Sequence, residues 1–335
     1  MYLFVLIIWT LLFLSKQHGR LRLMRTFDII SINCCQFLLA ISIVLAHLSQ
    51  YLKVAWLKPF TTCGGWAVPI FFFISGYGLY YSLTRKKDYL QNFLHKRLGK
   101  ILMPFVIATA LYLILYYTNG ENLHGKLFLW KELALFSLPY SWFVLSIIVF
   151  YLLFYITFKL IFKHTHAIGI VFVGVILFES YRLFACSNPN TFFAGLCFPL
   201  GLLVCKKEKC IEDFLQNIRS KSFFIVLAFL TLLAIFTYDS FGKVYNALIF
   251  YLLIRLVPSG INVLHGLKNF ILKTKLNTIS YEIYLTQGIG FLVLRNNYIY
   301  IGSPVLYVLV CVLVILCISG GVIVASKFIN KRLKI

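Results

Sequence analysis

Residues 71–83 read FFFISGYGLYYSL, and they raise the question of what kind of helix this chain builds. Three phenylalanines run directly into Ser75, Gly76, Tyr77 and Gly78. A helix that only has to face lipid needs no small or polar residues at its centre. Small residues let helix backbones approach closely, so this stretch alone predicts a seam at which membrane helices pack.

The composition extends this prediction to the whole chain. Of its 335 residues, 61% are hydrophobic and 13% are charged, about half the charged share of a soluble domain. Apolar runs long enough to cross a bilayer, about 20 residues each, recur along the sequence, and they are continuous rather than alternating. We predict an all-α, polytopic membrane bundle of about ten transmembrane helices with no soluble domain. The predicted spans are 29–48, 64–82, 101–117, 142–160, 167–180, 191–205, 222–237, 244–257, 278–295 and 304–325.

The net charge of +22 could indicate a nucleic-acid partner, but the distribution of the cations favours a membrane orientation signal. If residue 25 lies in the cytoplasm and the loops alternate, the cytoplasmic segments carry 25 of the 32 Lys and Arg residues and the outer loops carry 7. Lys and Arg collect on the cytoplasmic side of membrane proteins. We therefore predict no nucleic-acid partner and a cytoplasmic C-terminus.

The first 23 residues form a separate segment in this interpretation. Residues 1–15 are apolar but short for a span, and no small-residue cleavage site follows them. A basic stretch comes next, and Met24 opens the sequence MRTFD, which is itself a plausible chain start. We expect residues 1–23 to be either an over-extended start or a dispensable extra anchor, and residues 24–335 to be one membrane domain.

Polar residues in the first span are candidates for function, because polar groups inside a bilayer are costly. Asp28 stands at the entry of the span and fits a helix cap. Gln36 and His47 are eleven residues apart, about three turns, so they share a helix face and lie about 16 Å apart along the axis. His47 is placed near the outer end of the span, where a histidine is either structural or catalytic.

A basic segment, residues 85–100, precedes the third span. Its apolar residues recur at helical spacing, and Arg97 and Lys100 are three residues apart. The pattern predicts an amphipathic helix on the inner membrane surface. Its cations either mark the cytoplasmic side and touch anionic lipid or clamp the phosphates of an anionic cofactor.

The ninth span carries a carboxylate about one turn inside the membrane, Glu282. Such a group needs a partner, water or a proton, so we predict a catalytic or network-forming role for it. His164 and His166 lie close together without further ligands, and Cys205 and Cys210 lack a zinc-ligand spacing. We predict no metal site and no tightly bound cofactor.

Five stretches follow one another in an order that is typical of one known family. They are FDIISINCCQFLLAISIVLAH (27–47), FFFISGYGLYYSL (71–83), FLHKRLGKILMP (93–104), SWFVLSIIVFYLLF (141–154) and ISYEIYLTQ (279–287). Together they resemble the acyltransferase-3 family of membrane acyltransferases, over about residues 24–330. Each motif is weak alone, and the agreement rests on their order and on the ten-span count.

The resemblance implies a function and a set of site residues. The family moves an acyl group, commonly acetyl, from cytosolic acyl-coenzyme A to a hydroxyl of a cell-surface glycan or lipid-linked sugar on the outer side of a bacterial inner membrane. It makes His47 the catalytic histidine, and Arg97 with Lys100 the basic pair associated with the coenzyme. Glu282 is a second catalytic candidate because of its depth in the membrane, not because of the resemblance. A mechanism built on these roles adds Lys96 at the coenzyme phosphates, Gln36 at the donor, and Ser75 and Tyr77 as candidate donors of hydrogen bonds to the oxyanion.

Three positions depart from the family pattern. The family usually has Arg or Lys where this chain has Gln36, often has His where it has Gln287, and has Arg where it has Lys100. Glutamine keeps hydrogen bonding without charge, and lysine keeps charge without the bidentate fork. These departures leave open a degenerate family member that binds donor without turnover.

Two further classes stay open. A transporter or flippase of lipid-linked sugars often shows internal repeats, and we find none. A polysaccharide polymerase would be expected to carry a large basic outer loop, whereas the longest predicted outer loop, 118–141, is short and has few cations. The sequence makes no prediction about oligomeric state.

Overall fold

The computed structural model describes residues 29–120, 142–186, 193–217, 220–237, 240–256, 262–296 and 298–332. The predicted extension 1–23 and the capping candidate Asp28 lie outside these ranges, as does most of the outer loop 118–141. Every regular element within them is a helix, and one isolated bridge joins Arg295 to Tyr300. The predicted all-α architecture is confirmed for the described residues.

Twelve α-helices follow one another along the described chain. They are α1 Ile29–Leu52, α2 Cys63–Arg85, α3 Phe93–Thr118, α4 Trp142–Leu160, α5 His164–Cys186, α6 Cys197–Lys206, α7 Glu208–Asn217, α8 Ser220–Phe236, α9 Gly242–Leu256, α10 Asn262–Lys273, α11 Ser280–Val293 and α12 Pro304–Arg332. Short 3₁₀ segments, Ala55–Phe60 and Leu276–Thr278, precede α2 and α11.

Each of the ten predicted spans overlaps one of these helices. Among the described residues, six helical segments are long and apolar enough to cross a membrane: Ile32–Leu52, Ala55–Arg85, Phe93–Thr118, Trp142–Leu160, His164–Phe184 and Pro304–Arg332. The remaining apolar helices are shorter than a full crossing. The protein is therefore a multi-helix membrane protein, and the figure of about ten crossings stays a prediction.

Helix α2 lies in the middle of the bundle and carries the FFFISGYG stretch. It packs against α1, α6 and α9. Phe72 and Phe73 are fully buried, and the Phe72 ring lies 4.8 Å from that of Phe143. The closest approach is to α6, where a Cβ atom on Gly76 would overlap the carbonyl group of Phe198. The predicted packing seam is thus present.

Replacing Gly76 by alanine is expected to destabilise the bundle by about 1–3 kcal/mol, the usual cost of forcing extra atoms into a packed core. The added Cβ would meet backbone rather than a movable side chain. Thermal unfolding of the purified protein in detergent measures the effect. Gly78→Ala is the matched control, because a Cβ there meets nothing within 4 Å. Equal melting temperatures for the two variants would contradict the packing role of Gly76.

The basic segment does not form the separate surface helix that the sequence predicted. Residues 86–92 form turns, and α3 begins at Phe93 and continues without a break to Thr118. Phe93 is buried, with its ring 5.4 Å from that of Phe154 on α4. This anchor draws the basic residues into the first turns of a membrane-spanning helix. We call the end of the bundle at which these cations lie the basic end, and the opposite end the far end.

Candidate active site

A cavity of about 470 Å³, here called the first cavity, lies between α1, α2, α3, α4 and the start of α11. It brings together residues that lie far apart in the sequence. Four predicted donor residues line it: Gln36, Ser75, Arg97 and Lys100. The structure thus gathers cations and small polar groups around one buried space at the basic end.

Arg97 is held at this cavity by a neighbouring tyrosine. Its Nε and Nη2 atoms donate hydrogen bonds to the Tyr89 hydroxyl, at 3.1 and 2.8 Å. The guanidinium has five N–H donors, so the contact with one hydroxyl oxygen orients the group and leaves donor capacity for an anion. Arg97 is half-buried, which strengthens any charge interaction made there.

The segment that begins α11 adds polar groups that the sequence did not single out. Asn277, Thr278, Ser280 and Tyr281 all line the first cavity. The Ser280 hydroxyl is buried and has no hydrogen-bond partner among the described residues. An unpaired buried hydroxyl is costly, so this group fits a cavity that accommodates a polar ligand.

His47 lies beyond the cavity and forms a hydrogen bond with Gln287, a contact that the sequence did not reveal. Its Nδ1 atom is 2.9 Å from Oε1 of Gln287 on α11. The Gln287 amide nitrogen donates to the Tyr284 carbonyl at 2.9 Å, which turns the amide oxygen toward the ring. Because that oxygen only accepts, Nδ1 is the donor, and the neutral ring carries its lone pair on Nε2. This is the tautomer that a general base acting through Nε2 requires.

The histidine pair stands close to the end of the first cavity. Ile43 and Tyr284 both line the cavity. His47 follows Ile43 by four residues on α1, a rise of about 6 Å, and Gln287 follows Tyr284 by three on α11. The cavity therefore runs from the cations at the basic end to within one helical turn of His47.

Lys96 and Glu282 do not face this space. They line a second cavity, about 570 Å³, between α3, α11 and α12. Lys100 and Thr278 line both cavities. Since the structure places Glu282 with lysines and away from His47, its catalytic role stays a prediction that the geometry does not support.

Tyr77 is also placed elsewhere. It is absent from the lining of the first cavity, and its hydroxyl donates a hydrogen bond to the Glu208 carboxylate at the start of α7. Residues two apart on a helix point in opposite directions. The placement of Ser75 in the cavity therefore turns Tyr77 away from it.

A buried ion pair near the far end was missed at the sequence level. Arg182 Nη1 donates to Ser146 Oγ at 2.8 Å and to Glu179 at 3.3 Å, and its guanidinium lies 5.2 Å from the Trp142 ring centroid. Phe143, which follows Trp142, lines the first cavity. The cluster supports the cavity wall. The sequence feature that could have indicated this ion pair is an acidic and a basic residue three positions apart at the end of an apolar run.

Among the described residues, no group of three or more His, Cys, Asp or Glu side chains is arranged to hold a metal ion. The polar groups of the first cavity are hydroxyls, amides and cations. Such groups suit an anionic or neutral polar ligand.

The fold and the site define a multi-helix membrane protein with a cavity that contains cations, hydroxyls and amides among apolar side chains and leads toward a hydrogen-bonded histidine. The family model described as Acyltransferase domain (Acyl_transf_3) matches residues 29–323. The chain belongs to this family, whose members are in general acyltransferases, and the family predicted from the five motifs is confirmed. No curated protein and no solved structure matches the chain.

Replacing Gln287 by methionine is expected to lower kcat of acyl transfer by about 10- to 100-fold, the range seen when a group that orients a site histidine is removed. Methionine keeps the length of the side chain but cannot accept the Nδ1 hydrogen bond. Steady-state kinetics measures the effect, with KM for the acyl donor unchanged. Gln287→Glu, which keeps an acceptor, is expected to retain more activity. An unchanged kcat in Gln287→Met would rule out the positioning role.

Proposed function

We propose that this protein is an O-acetyltransferase, which moves an acetyl group from cytosolic acetyl-coenzyme A to a hydroxyl of an extracytoplasmic or lipid-linked polysaccharide. Membership of an acyltransferase family supports the general reaction. The observation that carries the specific proposal is the first cavity, which has Arg97 and Lys100 at one end and comes within one helical turn of His47 at the other.

The donor enters from the basic end in this proposal. Arg97 offers a planar fork that suits a phosphate, and Lys100 offers a point charge. Lys96, one turn from Lys100 on the adjoining cavity, adds a third cation. The coenzyme phosphates stay at these residues on the cytoplasmic side, and both chain ends of the described bundle face the cytoplasm, in agreement with the cation distribution.

The acyl-bearing arm of the donor extends along α1 from Gln36 toward His47. This distance is about 16 Å along the helix axis. Gln36 and Ser75 line the path and provide hydrogen-bonding groups without charge. An uncharged lining suits the arm, which is itself uncharged, so the cations are needed only where the phosphates lie.

The reaction requires two proton transfers through His47 and the exchange of a carbon–sulfur bond for a carbon–oxygen bond. Nε2 of His47 takes the proton from the acceptor hydroxyl as its oxygen attacks the thioester carbonyl carbon. The tetrahedral intermediate then collapses, the carbon–sulfur bond breaks, and the sulfur leaves with the proton returned by the imidazolium. The products are an ester on the acceptor and free coenzyme A. The bond from Nδ1 to Gln287 holds the ring in the required tautomer throughout.

The acceptor approaches from the far end. Tyr51, one turn beyond His47, is 46% exposed. The Arg295 guanidinium lies 4.5 Å from the Tyr307 ring centroid, and 5.7 and 5.4 Å from those of Tyr51 and Tyr300. The Tyr307 ring is buried, whereas the exposed rings of Tyr51 and Tyr300 and the Arg295 cation provide apolar and polar contacts for a sugar or its lipid-linked phosphate.

A deletion strain tests the proposal in the cell. We expect its surface polysaccharide to lack an ester that mild base removes from the wild-type material, and we expect the ester to return when the gene is restored. Nuclear magnetic resonance of the polysaccharide, before and after base treatment, measures this. A polysaccharide with the same ester content in the deletion strain would refute the proposed acceptor class.

Replacing Arg97 by alanine is expected to raise KM for acyl-coenzyme A by about 10- to 100-fold, because hydrogen bonds to charged groups contribute about 1.5–3 kcal/mol. KM for the acceptor should change little. Steady-state kinetics with each substrate varied in turn measures both. Arg85→Ala is the matched control, since Arg85 is exposed and lines neither cavity. Equal effects on donor and acceptor, or equal effects of the two variants, would exclude the phosphate role.

A further inference from the structure

The second cavity is strongly basic. Lys96 and Lys100 face it from α3, four residues apart. Lys327 and Lys331 face it from α12 at the same spacing. Like charges four residues apart repel one another, and here two such pairs meet across one space. Glu282 is the one carboxylate among the described lining residues, so four lysines and one glutamate leave a formal charge of +3.

The same cavity contains buried hydrogen-bond acceptors. Glu282 is only 6% exposed. The Asn330 Oδ1 atom is buried and has no hydrogen-bond partner among the described residues. A row of solvated lysines that only marks the cytoplasmic side would need neither a cavity nor buried acceptors. The combination favours a ligand that carries both an anion and hydrogen-bond donors.

The surroundings of the cavity are suited to hydrocarbon. On α12, Val324 is 67% exposed and Phe328 is 61% exposed, each next to a lining residue. A soluble ligand would gain nothing from these side chains, whereas acyl chains would lie against them.

We propose that the second cavity binds the headgroup of an anionic phospholipid that carries free hydroxyls, with phosphatidylglycerol as the simplest case. The lysine ammonium groups donate hydrogen bonds to the phosphodiester oxygens. The headgroup hydroxyls donate to the Glu282 carboxylate and to Asn330 Oδ1. The acyl chains lie along the exposed apolar face of α12. The site adjoins the proposed donor site and shares Lys96 and Lys100 with it, whereas Lys327 and Lys331 line the second cavity alone. Lipid binding is measured without acyl transfer, so it does not depend on the proposed reaction.

Native mass spectrometry of the delipidated full-length protein in detergent tests the site by titration with phosphatidylglycerol. We expect one lipid to bind to the wild-type protein more tightly than phosphatidylethanolamine does. The double variant K327Q/K331Q should bind it about 30-fold more weakly, which corresponds to about 1 kcal/mol for each lysine. The matched control is K86Q/K87Q, which removes two exposed cations outside both cavities and should bind like the wild type.

Four results would overturn the proposal. If K327Q/K331Q binds the lipid as tightly as the wild type does, the cavity is not the lipid site. If K86Q/K87Q weakens binding as much as K327Q/K331Q does, the lipid responds only to the overall surface charge. Displacement of the lipid by glycerol 3-phosphate at the same concentration would indicate a soluble phosphate ligand. Displacement by coenzyme A, with a raised donor KM in K327Q/K331Q, would assign the cavity to the donor. Melting temperatures confirm that both double variants are folded.

Discussion

Replacing His47 by alanine is expected to lower the rate of acyl transfer by about 10³-fold, within the usual range for loss of a general base. Gln287 orients the imidazole ring through a hydrogen bond to Nδ1, and the ring lies one helical turn beyond the first cavity. In the proposed mechanism, the substitution removes the group that takes the proton from the acceptor hydroxyl as the thioester is attacked. The measurement is the formation of acyl ester by equal amounts of purified wild-type and variant protein.

The matched control for this prediction is another histidine. His166 is exposed at the basic end and lines neither cavity, so His166→Ala should transfer acyl groups at the wild-type rate. The amount of variant protein in the membrane must also match that of the wild type, because a misfolded bundle would be inactive whether or not His47 is the base. Wild-type ester formation by His47→Ala would refute the role of His47 as the base.

Replacing Ser75 by leucine is expected to reduce kcat/KM for the acyl donor by about 10²-fold, an effect comparable to misplacing a substrate by about 1 Å. Ser75 lines the first cavity between the cations and His47. A branched side chain there would occupy the space through which the donor arm passes. Because Ser75 is half-buried against an existing space, the variant should lose donor use before it loses folding.

Ser82→Leu is the control for this prediction, since Ser82 is on the same helix and lines neither cavity. It tests whether a larger side chain in α2 disturbs the bundle by itself. Binding of the donor, followed by isothermal titration calorimetry, separates a blocked path from a damaged site. Normal turnover by Ser75→Leu would show that the stretch FFFISGYG serves helix packing and does not line the path of the donor.

The helices were largely predictable because each apolar run is continuous and ends at polar or charged residues. The clearest error concerned the basic segment: the cations suggested a helix on the membrane surface, whereas α3 begins at Phe93 and crosses the bundle. Periodicity alone cannot show whether a short amphipathic stretch is continuous with the next span. Burial of Phe93 among the aromatic rings of α4 decided it, and that contact is tertiary.

The candidate site was predictable in part. The motifs identified Gln36, Ser75, Arg97 and Lys100, which the structure brings to one cavity. Tyr77 was predicted, like Ser75, as a donor of a hydrogen bond to the oxyanion, but two residues along a helix reverse the direction of a side chain.

The partner of His47 could not be found in advance. Gln287 is 240 positions away along the chain, and a single sequence does not reveal which side chains meet across two helices. The sequence showed Gln287 only as a departure from the family pattern. The folded bundle shows that the Gln287 amide oxygen accepts a hydrogen bond from the His47 ring. The bond from the Gln287 amide nitrogen to the Tyr284 carbonyl turns that oxygen toward the ring.

Transfer of a labelled acetyl group by the purified protein tests the central claim most directly. The full-length protein in lipid nanodiscs would receive acetyl-coenzyme A labelled in the acetyl group, together with candidate lipid-linked glycans. We predict that label appears on the glycan as a base-labile ester, that free coenzyme A is released in equal amount, and that His47→Ala produces neither. Release of coenzyme A without labelled glycan, or equal ester formation by the wild-type protein and His47→Ala, would contradict the account.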